Sequence, residues 1–427
     1  MVKPNHKKSN FYLGLSSLFS EDYKNAIKEL KNALLLDSSN KDIYYFLGNA
    51  YKNNNQHKQA LESFNTCISL DPKYSKAYYE LGQIYEIIFE FDSAIQVYEL
   101  TVQLIDDDDP ISDELNYKLG ILYYNNEQYK ESMSYLREYA LNNLNDYETL
   151  KILAEVFFNE GRYFEAIDIY NILLQEDSNN ENFYYKIAES YYKIEEYQEA
   201  LYFYKQVLIF NDENSNVLLN IGIIHNKMSQ YLEAEHNIEL AINCGFINKN
   251  LLVQLGIAYG GQKKYLQSMQ AFKDALDFSL NDPIIHYKLG IIYQELNIHD
   301  LAAESIQIYI NYNKKDYIGH YMLGVSYINL NKYNEAIESF QLALKYNKGH
   351  INSLYNIGLC YYNIENYKKS SQYLKTVLKK NPDHVLSRST LIDVYIGQNK
   401  SREAKRECDI IYMLDRELYN IHPHCNN

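Results

Sequence analysis

The stretch YMLGVSYINLNKYNEAIESFQLAL, from Tyr321 to Leu344, carries a glycine inside an otherwise apolar and aromatic helical pattern. The same skeleton occurs 34 residues earlier, in YKLGIIYQELNIHDLAAESIQIYI from Tyr287, and 34 residues later, in YNIGLCYYNIENYKKSSQYLKTVL from Tyr355. A fixed period of this length is the signature of a tandem array, in which each repeat packs only on its neighbours. The fold is therefore determined by one repeat and by the number of times it occurs.

Two positions of the repeat are kept small. When each repeat is numbered so that its glycine is position 8, that position is Gly or Ala in every repeat except the last, which has Ile392, and position 20 is always Ala or Ser. Positions 4, 7, 8 and 11 share one helical face, positions 17, 20, 24 and 27 share another, and a polar turn separates them. A glycine within a helix costs about 1 kcal/mol relative to alanine. We therefore expect two helices that approach closely, with position 8 facing position 20.

Twelve repeats cover the chain between an N-terminal tail of residues 1–6 and a C-terminal tail of residues 419–427. One insertion interrupts the period, because Gly82 and Gly120 are 38 residues apart. The extra residues lie in IDDDDPI (Ile105–Ile111), which is predicted to be a solvated linker rather than a metal site. The predicted repeats span residues 7–40, 41–74, 75–108, 113–146, 147–180, 181–214, 215–248, 249–282, 283–316, 317–350, 351–384 and 385–418.

This pattern resembles the tetratricopeptide repeat, whose signature joins an aromatic–Leu–Gly–Tyr first helix to an Ala–Phe second helix and a closing proline. The segments YYFLGNAY…QALESFNTCISLDP (Tyr44–Pro72) and HYMLGVSY…EAIESFQLAL (His320–Leu344) carry the resemblance, with tyrosine where the family often has tryptophan. The resemblance implies an all-α fold, a right-handed superhelical solenoid whose first helices line a concave groove that binds peptides or helices. The last repeat departs from the pattern at Ile392 and Cys408, and we expect it to act as a cap.

In this family the groove is lined chiefly by positions 2, 5, 9, 12 and 13. These positions mix charges in the first half of the chain, as at Lys52, Glu155 and Glu189, and lose nearly all charge in repeats seven to eleven. One interpretation is that position 9 is merely half-buried against the next repeat. The other is an apolar surface that accepts a partner segment. The candidate residues, called the apolar strip below, are Ile223, Ile257, Tyr287, Ile291, Tyr321, Val325, Ile328, Tyr355, Leu359 and Tyr362.

Composition narrows the class of partner. The formal net charge of −15 repels phosphate backbones, so nucleic acid is a poor partner. No run approaches the roughly 20 apolar residues of a membrane span. The first residues, MVKPNHKKSNFYLGLSSLFS, resemble a weak signal peptide, but their apolar stretch falls in the repeat register, so we assign residues 7–20 to the first repeat.

Neither the cysteines nor the C-terminal tail is predicted to form a metal or redox site. The five cysteines are far apart and have neither zinc nor redox spacing, so we expect inert thiols in a reducing, cytoplasmic location. The tail HPHC (His422–Cys425) has metal-capable side chains, but we expect it to fray. The glycine pair Gly260–Gly261 is interpreted as the turn of the eighth repeat.

No phosphate-binding glycine loop or His-Glu-x-x-His pair occurs in the sequence, so we expect no cofactor and no enzymatic activity. The sequence favours a scaffold that binds protein partners in its groove. The alternative is a substrate-recruiting or regulatory subunit of an enzyme complex, such as a glycosyltransferase, or of secretion or assembly machinery.

Overall fold

The computed structural model describes residues 4–106 and 109–425, and within these ranges every regular element is an α-helix. Asp107 and Asp108, in the predicted linker, lie outside the described residues. The first helices of the successive repeats are α1 (Pro4–Phe19), α3 (Lys41–Asn53), α5 (Ser75–Ile87), α7 (Ser112–Asn125), α9 (Tyr147–Asn159), α11 (Glu181–Lys193), α13 (Ser215–Lys227), α15 (Lys249–Gly261), α17 (Pro283–Glu295), α19 (Tyr317–Asn329), α21 (Ile351–Asn363) and α23 (Val385–Gly397).

The second helices alternate with the first along the chain, and a short helix follows the last pair. The second helices are α2 (Tyr23–Leu34), α4 (His57–Leu70), α6 (Phe91–Leu104), α8 (Tyr129–Asn142), α10 (Tyr163–Glu176), α12 (Tyr197–Phe210), α14 (Tyr231–Asn243), α16 (Tyr265–Leu276), α18 (His299–Tyr312), α20 (Tyr333–Tyr346), α22 (Tyr367–Lys380) and α24 (Ser401–Leu414), and the short helix is α25 (Arg416–Ile421).

The chain forms two compact units, an N-terminal unit of residues 1–210 and a C-terminal unit of residues 211–427. Within each unit the two helices of a repeat pack on each other, and each second helix also packs on the first helix of the following repeat. The predicted fold class, an all-α solenoid of helix pairs, is confirmed. The core of each unit is the row of buried residues between successive pairs.

Every turn inside a repeat has the same backbone. In the second repeat Asn55, at position 15, has a φ of 58°, and its N–H donates to the Lys52 carbonyl at 3.0 Å. The next N–H, of Gln56, donates to the Tyr51 carbonyl at 2.9 Å. This pair of bonds is a Schellman motif, which satisfies the last carbonyls of the first helix. The residues at position 15 with positive φ are Glu21, Asn55, Phe89, Glu127, Gly161, Glu195, Ser229, Lys263, Asn297, Asn331, Glu365 and Asn399.

The glycine at position 8 makes room for the large side chain at position 24. A Cβ atom on Gly324 would lie 2.6 Å from the ring of Phe340, and the corresponding distance is 2.4 to 2.9 Å for every glycine at position 8. The small residue at position 20 instead contacts the backbone of position 8, where the Ser132 hydroxyl donates to the Gly120 carbonyl at 2.8 Å. The predicted close approach is confirmed, but the space left by the missing side chain belongs to position 24.

In the last repeat the large side chain is at position 8 and the small one is at position 24. Ile392 stands at position 8 and Cys408 at position 24, and both are buried. The smaller side chain at position 24 leaves Cys408 beside the C-terminal tail, where it forms a disulfide with Cys425, 17 residues later. The prediction of inert thiols is therefore wrong for these two cysteines, because α25 folds the tail back onto α24. Cys67, Cys244 and Cys360 are free thiols.

The prediction of a frayed C-terminal tail is also wrong. Leu418 and Tyr419 of α25 pack against the core of the last repeat, and His422 is only 5% exposed. The Nε2 atoms of His422 and His424 lie 3.7 and 3.8 Å from Asp393 Oδ1 on α23. The tail thus covers the end of the C-terminal unit, which agrees with the capping role expected of an atypical terminal repeat.

Candidate surface for protein binding

The apolar strip lies on the first helices of five consecutive repeats, all of them in the C-terminal unit. All ten of its residues are half-buried, so none is a full member of the core and none is fully exposed. Val325 and Ile328 pack against one core cluster and Ile257 against another. The strip therefore keeps an accessible apolar edge while its inner atoms contribute to packing between repeats.

The tyrosines at position 5 contribute to packing as well as to the surface. The Tyr321 ring lies 5.7 Å from the ring of Phe340 and 4.9 Å from that of His350, measured between centroids. Tyr287 contacts Tyr309 at 4.7 Å in the same way. These contacts bury most of each ring, so truncation of a position-5 tyrosine would disturb the fold as well as any binding surface.

Two tyrosines of the strip are kept in the phenol form. Burial, with a smaller contribution from Asp316, raises the pKa of Tyr287. Burial, followed by Asp393 and Tyr367, raises the pKa of Tyr362. Both side chains are therefore neutral at physiological pH and combine an apolar ring with a hydroxyl that can donate and accept hydrogen bonds.

At several junctions a polar contact joins neighbouring first helices, between position 12 of one repeat and position 6 of the next. In the N-terminal unit Lys52 and Glu80 form such an ion pair, and Glu86 Oε1 lies 2.9 Å from Lys118 Nζ. Lys52 and Glu86 stand at position 12, one of the positions that the resemblance assigns to the groove. These two groove charges are thus paired within the protein.

In the C-terminal unit an amide at position 12 makes this contact in two repeats, at Asn226 and at Gln294. The Asn226 side chain donates to the side chain and the backbone carbonyl of Gln254, at 3.1 and 2.9 Å. The Gln294 side chain donates to the Met322 carbonyl and to the Ser326 hydroxyl, both at 2.9 Å. At these two places the strip is therefore bordered by hydrogen-bonded amides rather than by charges.

This pairing was not predicted from the sequence. A signal for it was present, since opposite charges stand at positions 12 and 6 of adjacent repeats, as in Lys52 with Glu80 and Glu86 with Lys118. Comparing position 12 of each repeat with position 6 of the next would have found it.

The assignment of Gly260 and Gly261 to a turn is wrong, because they are the last two residues of α15 and occupy positions 12 and 13.

The described residues hold no group of three or more metal-capable side chains that could bind a metal ion. Asp393, His422 and His424 come close together, but burial is the main influence on Asp393 and raises the pKa of its carboxyl group. Among the described helices, none has both the length and the apolar character needed to cross a membrane.

Family models give the first comparison with known proteins. Models of the tetratricopeptide repeat match residues 41–74, 75–108, 317–350 and 352–384. A model described as anaphase-promoting complex, cyclosome, subunit 3 matches residues 138–207. The matched repeats at residues 41–74, 75–108 and 317–350 have the bounds predicted from the period. No curated protein matches the chain.

Several solved structures resemble the chain. The APC/C hetero-tetramer Cut9-Hcn1 gives 16% identity and a TM-score of 0.38, with 96% of this chain and 94% of that chain covered. Yeast Tom70 gives 16% identity and a TM-score of 0.37 over 98% and 94%. MamA gives 18% identity and a TM-score of 0.37 over 39% and 97%. At this level of similarity the functions of those proteins do not transfer to this one.

Proposed function

Because the chain is a tetratricopeptide repeat protein, we propose that it is a non-enzymatic scaffold that binds a peptide or helical segment of a partner protein along the apolar strip. The observation that carries the proposal is the half-burial of all ten strip residues, next to amides that are already paired. An accessible apolar row that is bordered mostly by uncharged side chains, with Lys288 as an exception, favours a protein ligand over a nucleic acid. Tyrosine hydroxyls supply hydrogen bonds that orient the ligand.

The dimensions of the strip suit an extended segment. Neighbouring helices pack about 8–10 Å apart, so five repeats offer a row of about 50 Å. A segment of about 15 residues, at roughly 3.3 Å per residue, spans that distance. A helix would cover a similar length with about twice as many residues.

The test places charge on the strip without removing the tyrosines that also pack the core. Val325→Glu combined with Leu359→Glu changes two accessible position-9 residues in the tenth and eleventh repeats, the last two of the strip. The partner is identified by crosslinking to the full chain, and its affinity is then measured for each variant. We expect at least a tenfold loss, because truncating an anchor residue of an interface typically costs about 2 kcal/mol or more.

A matched control changes the same position in the N-terminal unit. Gln83→Glu combined with Ile121→Glu should leave the affinity within about threefold. Equal losses in the two double variants, or no loss in either, would overturn the proposed binding surface. Whether the partner is itself an enzyme, as the alternative of a recruiting subunit requires, is answered by the same crosslinking experiment.

A cytoplasmic location stays a prediction, and the Cys408–Cys425 disulfide weighs against it because disulfides are rare in that compartment. Thiol alkylation of the protein in its own cells, before lysis, distinguishes the two states. Complete alkylation of Cys408 and Cys425 would support the cytoplasmic prediction. Protection of both from alkylation would contradict it.

A further inference from the structure

A cavity of about 200 Å³ opens in the apolar strip between the eighth and ninth repeats. Ile257 and Ile291, both members of the strip, line it together with Phe272 and Gly260. An apolar cavity of about 150 Å³ is large enough to hold a benzene ring. The cavity in this protein therefore has room for one branched aliphatic or one phenyl side chain.

The cavity exists because position 12 of the eighth repeat has no side chain. The corresponding position in other repeats holds a long residue, such as Glu86, Phe158, Gln294 or Tyr362. At Gly260 even a Cβ atom would meet only Ser268 Oγ at 3.3 Å and Ile292 Cδ1 at 3.4 Å. The gap is thus a local vacancy in a row of side chains that is filled in neighbouring repeats.

The same vacancy leaves a lysine without its usual partner. Lysine occurs at position 6 in three repeats, and Lys118 pairs with Glu86 at 2.9 Å while Lys186 lies 4.9 Å from the centroid of the Phe158 ring. Each of these partners stands at position 12 of the preceding repeat. For Lys288 that position is Gly260, and in the described part of the chain its ammonium group forms no ion pair or hydrogen bond. Lys288 is half-buried and also lines the cavity.

We propose that this cavity is an anchor site for a partner segment that inserts one large apolar side chain and places a carboxylate on Lys288. The inference rests on the proposed function and specifies the chemistry of the partner. The apolar group replaces the missing side chain of position 12 as packing, and the carboxylate replaces the missing counter-ion. A carboxylate on the ligand is complementary to a half-buried ammonium group in a chain whose net charge is otherwise strongly acidic.

The first experiment uses a phage-displayed library of random dodecapeptides, selected on the full-length protein. We expect the enriched peptides to combine a leucine, isoleucine, methionine or phenylalanine with a nearby aspartate or glutamate. Gly260→Glu provides the decisive variant, because it fills the cavity and supplies Lys288 with the kind of partner that Glu86 gives Lys118. It should weaken the selected peptides roughly tenfold or more. The melting temperature should not fall, since Gly is the poorer helix former.

Two further variants separate the apolar contact from the ionic one. Leu266→Glu adds the same charge to the exposed face of α16 in the same repeat and should leave binding unchanged. Lys288→Gln should retain binding to the apolar residue but remove the preference for an acidic neighbour. Peptides that bind wild type and Gly260→Glu equally well, yet are lost in Val325→Glu with Leu359→Glu, would overturn the anchor site and leave the proposed function standing.

A small probe tests the cavity without any peptide. N-acetyl-leucine carries both an isobutyl group and a carboxylate, and N-acetyl-leucinamide lacks the carboxylate. In the full chain labelled at isoleucine methyl groups, N-acetyl-leucine should shift the signals of Ile257 and Ile291, the amide should shift them less, and Gly260→Glu should abolish the response. Absence of any shift, or equal shifts in the variant, would overturn the anchor site whatever the library selects.

Discussion

At the scale of single residues, positions 8 and 24 of each repeat share one volume. In the tenth repeat the large side chain is at position 24, with Gly324 beside Phe340. In the last repeat it is at position 8, with Ile392 beside Cys408. Both pairs are buried. A side chain larger than the methyl group of Ala154 or Ala188 occurs at position 8 only in the last repeat, where position 24 is small. The preference for glycine is a property of the pair and not of the helix in which it stands.

This exchange of volume predicts a coupled mutant pair. Gly324→Ile should destabilise the tenth repeat by roughly 1–3 kcal/mol through overpacking. Phe340→Cys should cost a similar amount or more, because it leaves a cavity. The double variant reproduces the pair of the last repeat, and we expect it to be more stable than the sum of the two losses by about 1 kcal/mol.

The measurement is urea unfolding of the three variants, with hydrogen exchange to locate the change. Protection should decrease mainly in the ninth to eleventh repeats, because repeat arrays are stabilised by neighbouring contacts. Strictly additive losses would contradict the shared volume.

Position 15 shows a second effect at the residue scale. Phe89 has a φ of 63°, in the left-handed region, which is strained for a phenylalanine. Its side chain is 78% exposed, so packing of the ring offsets little of that strain. Asparagine adopts this conformation more readily and occupies the same position at Asn331. Phe89→Asn should therefore raise stability by about 1 kcal/mol.

The reverse substitution is the control for this prediction. Asn331→Phe should lower the stability of its own repeat by about the same amount. Thermal unfolding followed by circular dichroism measures both changes. If Phe89→Asn lowers the melting temperature, the exposed ring contributes more than its strained backbone costs.

At the scale of helices, the start of α23 depends on a neutral histidine. The Ser387 N–H donates to His384 Nδ1 at 3.2 Å, so this nitrogen must carry no proton for His384 to cap the helix. Burial, in part under the ring of Tyr355, lowers the pKa of His384. Protonation would remove the acceptor and place a positive charge at the positive end of the helix.

The sign of the resulting pH dependence follows from linkage. An imidazole whose pKa is lower in the folded chain than in the unfolded chain takes up protons preferentially on unfolding. Its contribution to stability is complete above the ordinary value of about 6.5 and decreases as the pH falls from there towards the pKa of the folded state. We therefore expect acid to weaken the last repeat before the carboxylates titrate.

His384→Asn tests this prediction, since asparagine also caps helices, a contribution of about 1 kcal/mol, but does not titrate. The variant should match wild type near neutral pH and lose less stability between about pH 7 and pH 5. His236→Asn, at an exposed histidine of α14, should leave the wild-type slope unchanged. Equal slopes in all three proteins would show that His384 does not carry the effect.

At the scale of the whole molecule, a disulfide bond fixes the C-terminal tail to the last repeat. The Cys408–Cys425 bond holds α25 and the following residues against α23 and α24, and it covers a core face that a further repeat would otherwise cover. A loop of about 15 residues contributes roughly 3 kcal/mol when it is closed by a disulfide. Reduction should therefore lower the stability of the last repeat measurably.

Cys425→Ser should reproduce the effect of reductant on unfolding of the C-terminal unit, and added reductant should then have no further effect. Cys244→Ser, at an exposed free thiol, should behave like wild type in both conditions. Hydrogen exchange should place the loss in α24 and α25. A melting profile that is indifferent to reductant would contradict a stabilising disulfide.

The sequence by itself determined the repeat, its two helices, its turn and the number of times it occurs. These features depend on residues close together in the chain, and a period repeated from Gly14 to Gly358 leaves little ambiguity about them. The candidate strip was also located by counting charges at fixed positions, but its role in binding stays a prediction.

Only the tertiary structure decided which residues meet. In the structure position 8 contacts position 24, position 12 can contact position 6 of the next repeat, and Cys408 is bonded to Cys425. Gly260, which was predicted to lie in a turn, lines a cavity instead. The physical reason is that helical periodicity assigns a side chain to a face, whereas the partner on the opposing face depends on how two helices are rotated and shifted against each other. That arrangement is set by packing across the whole pair.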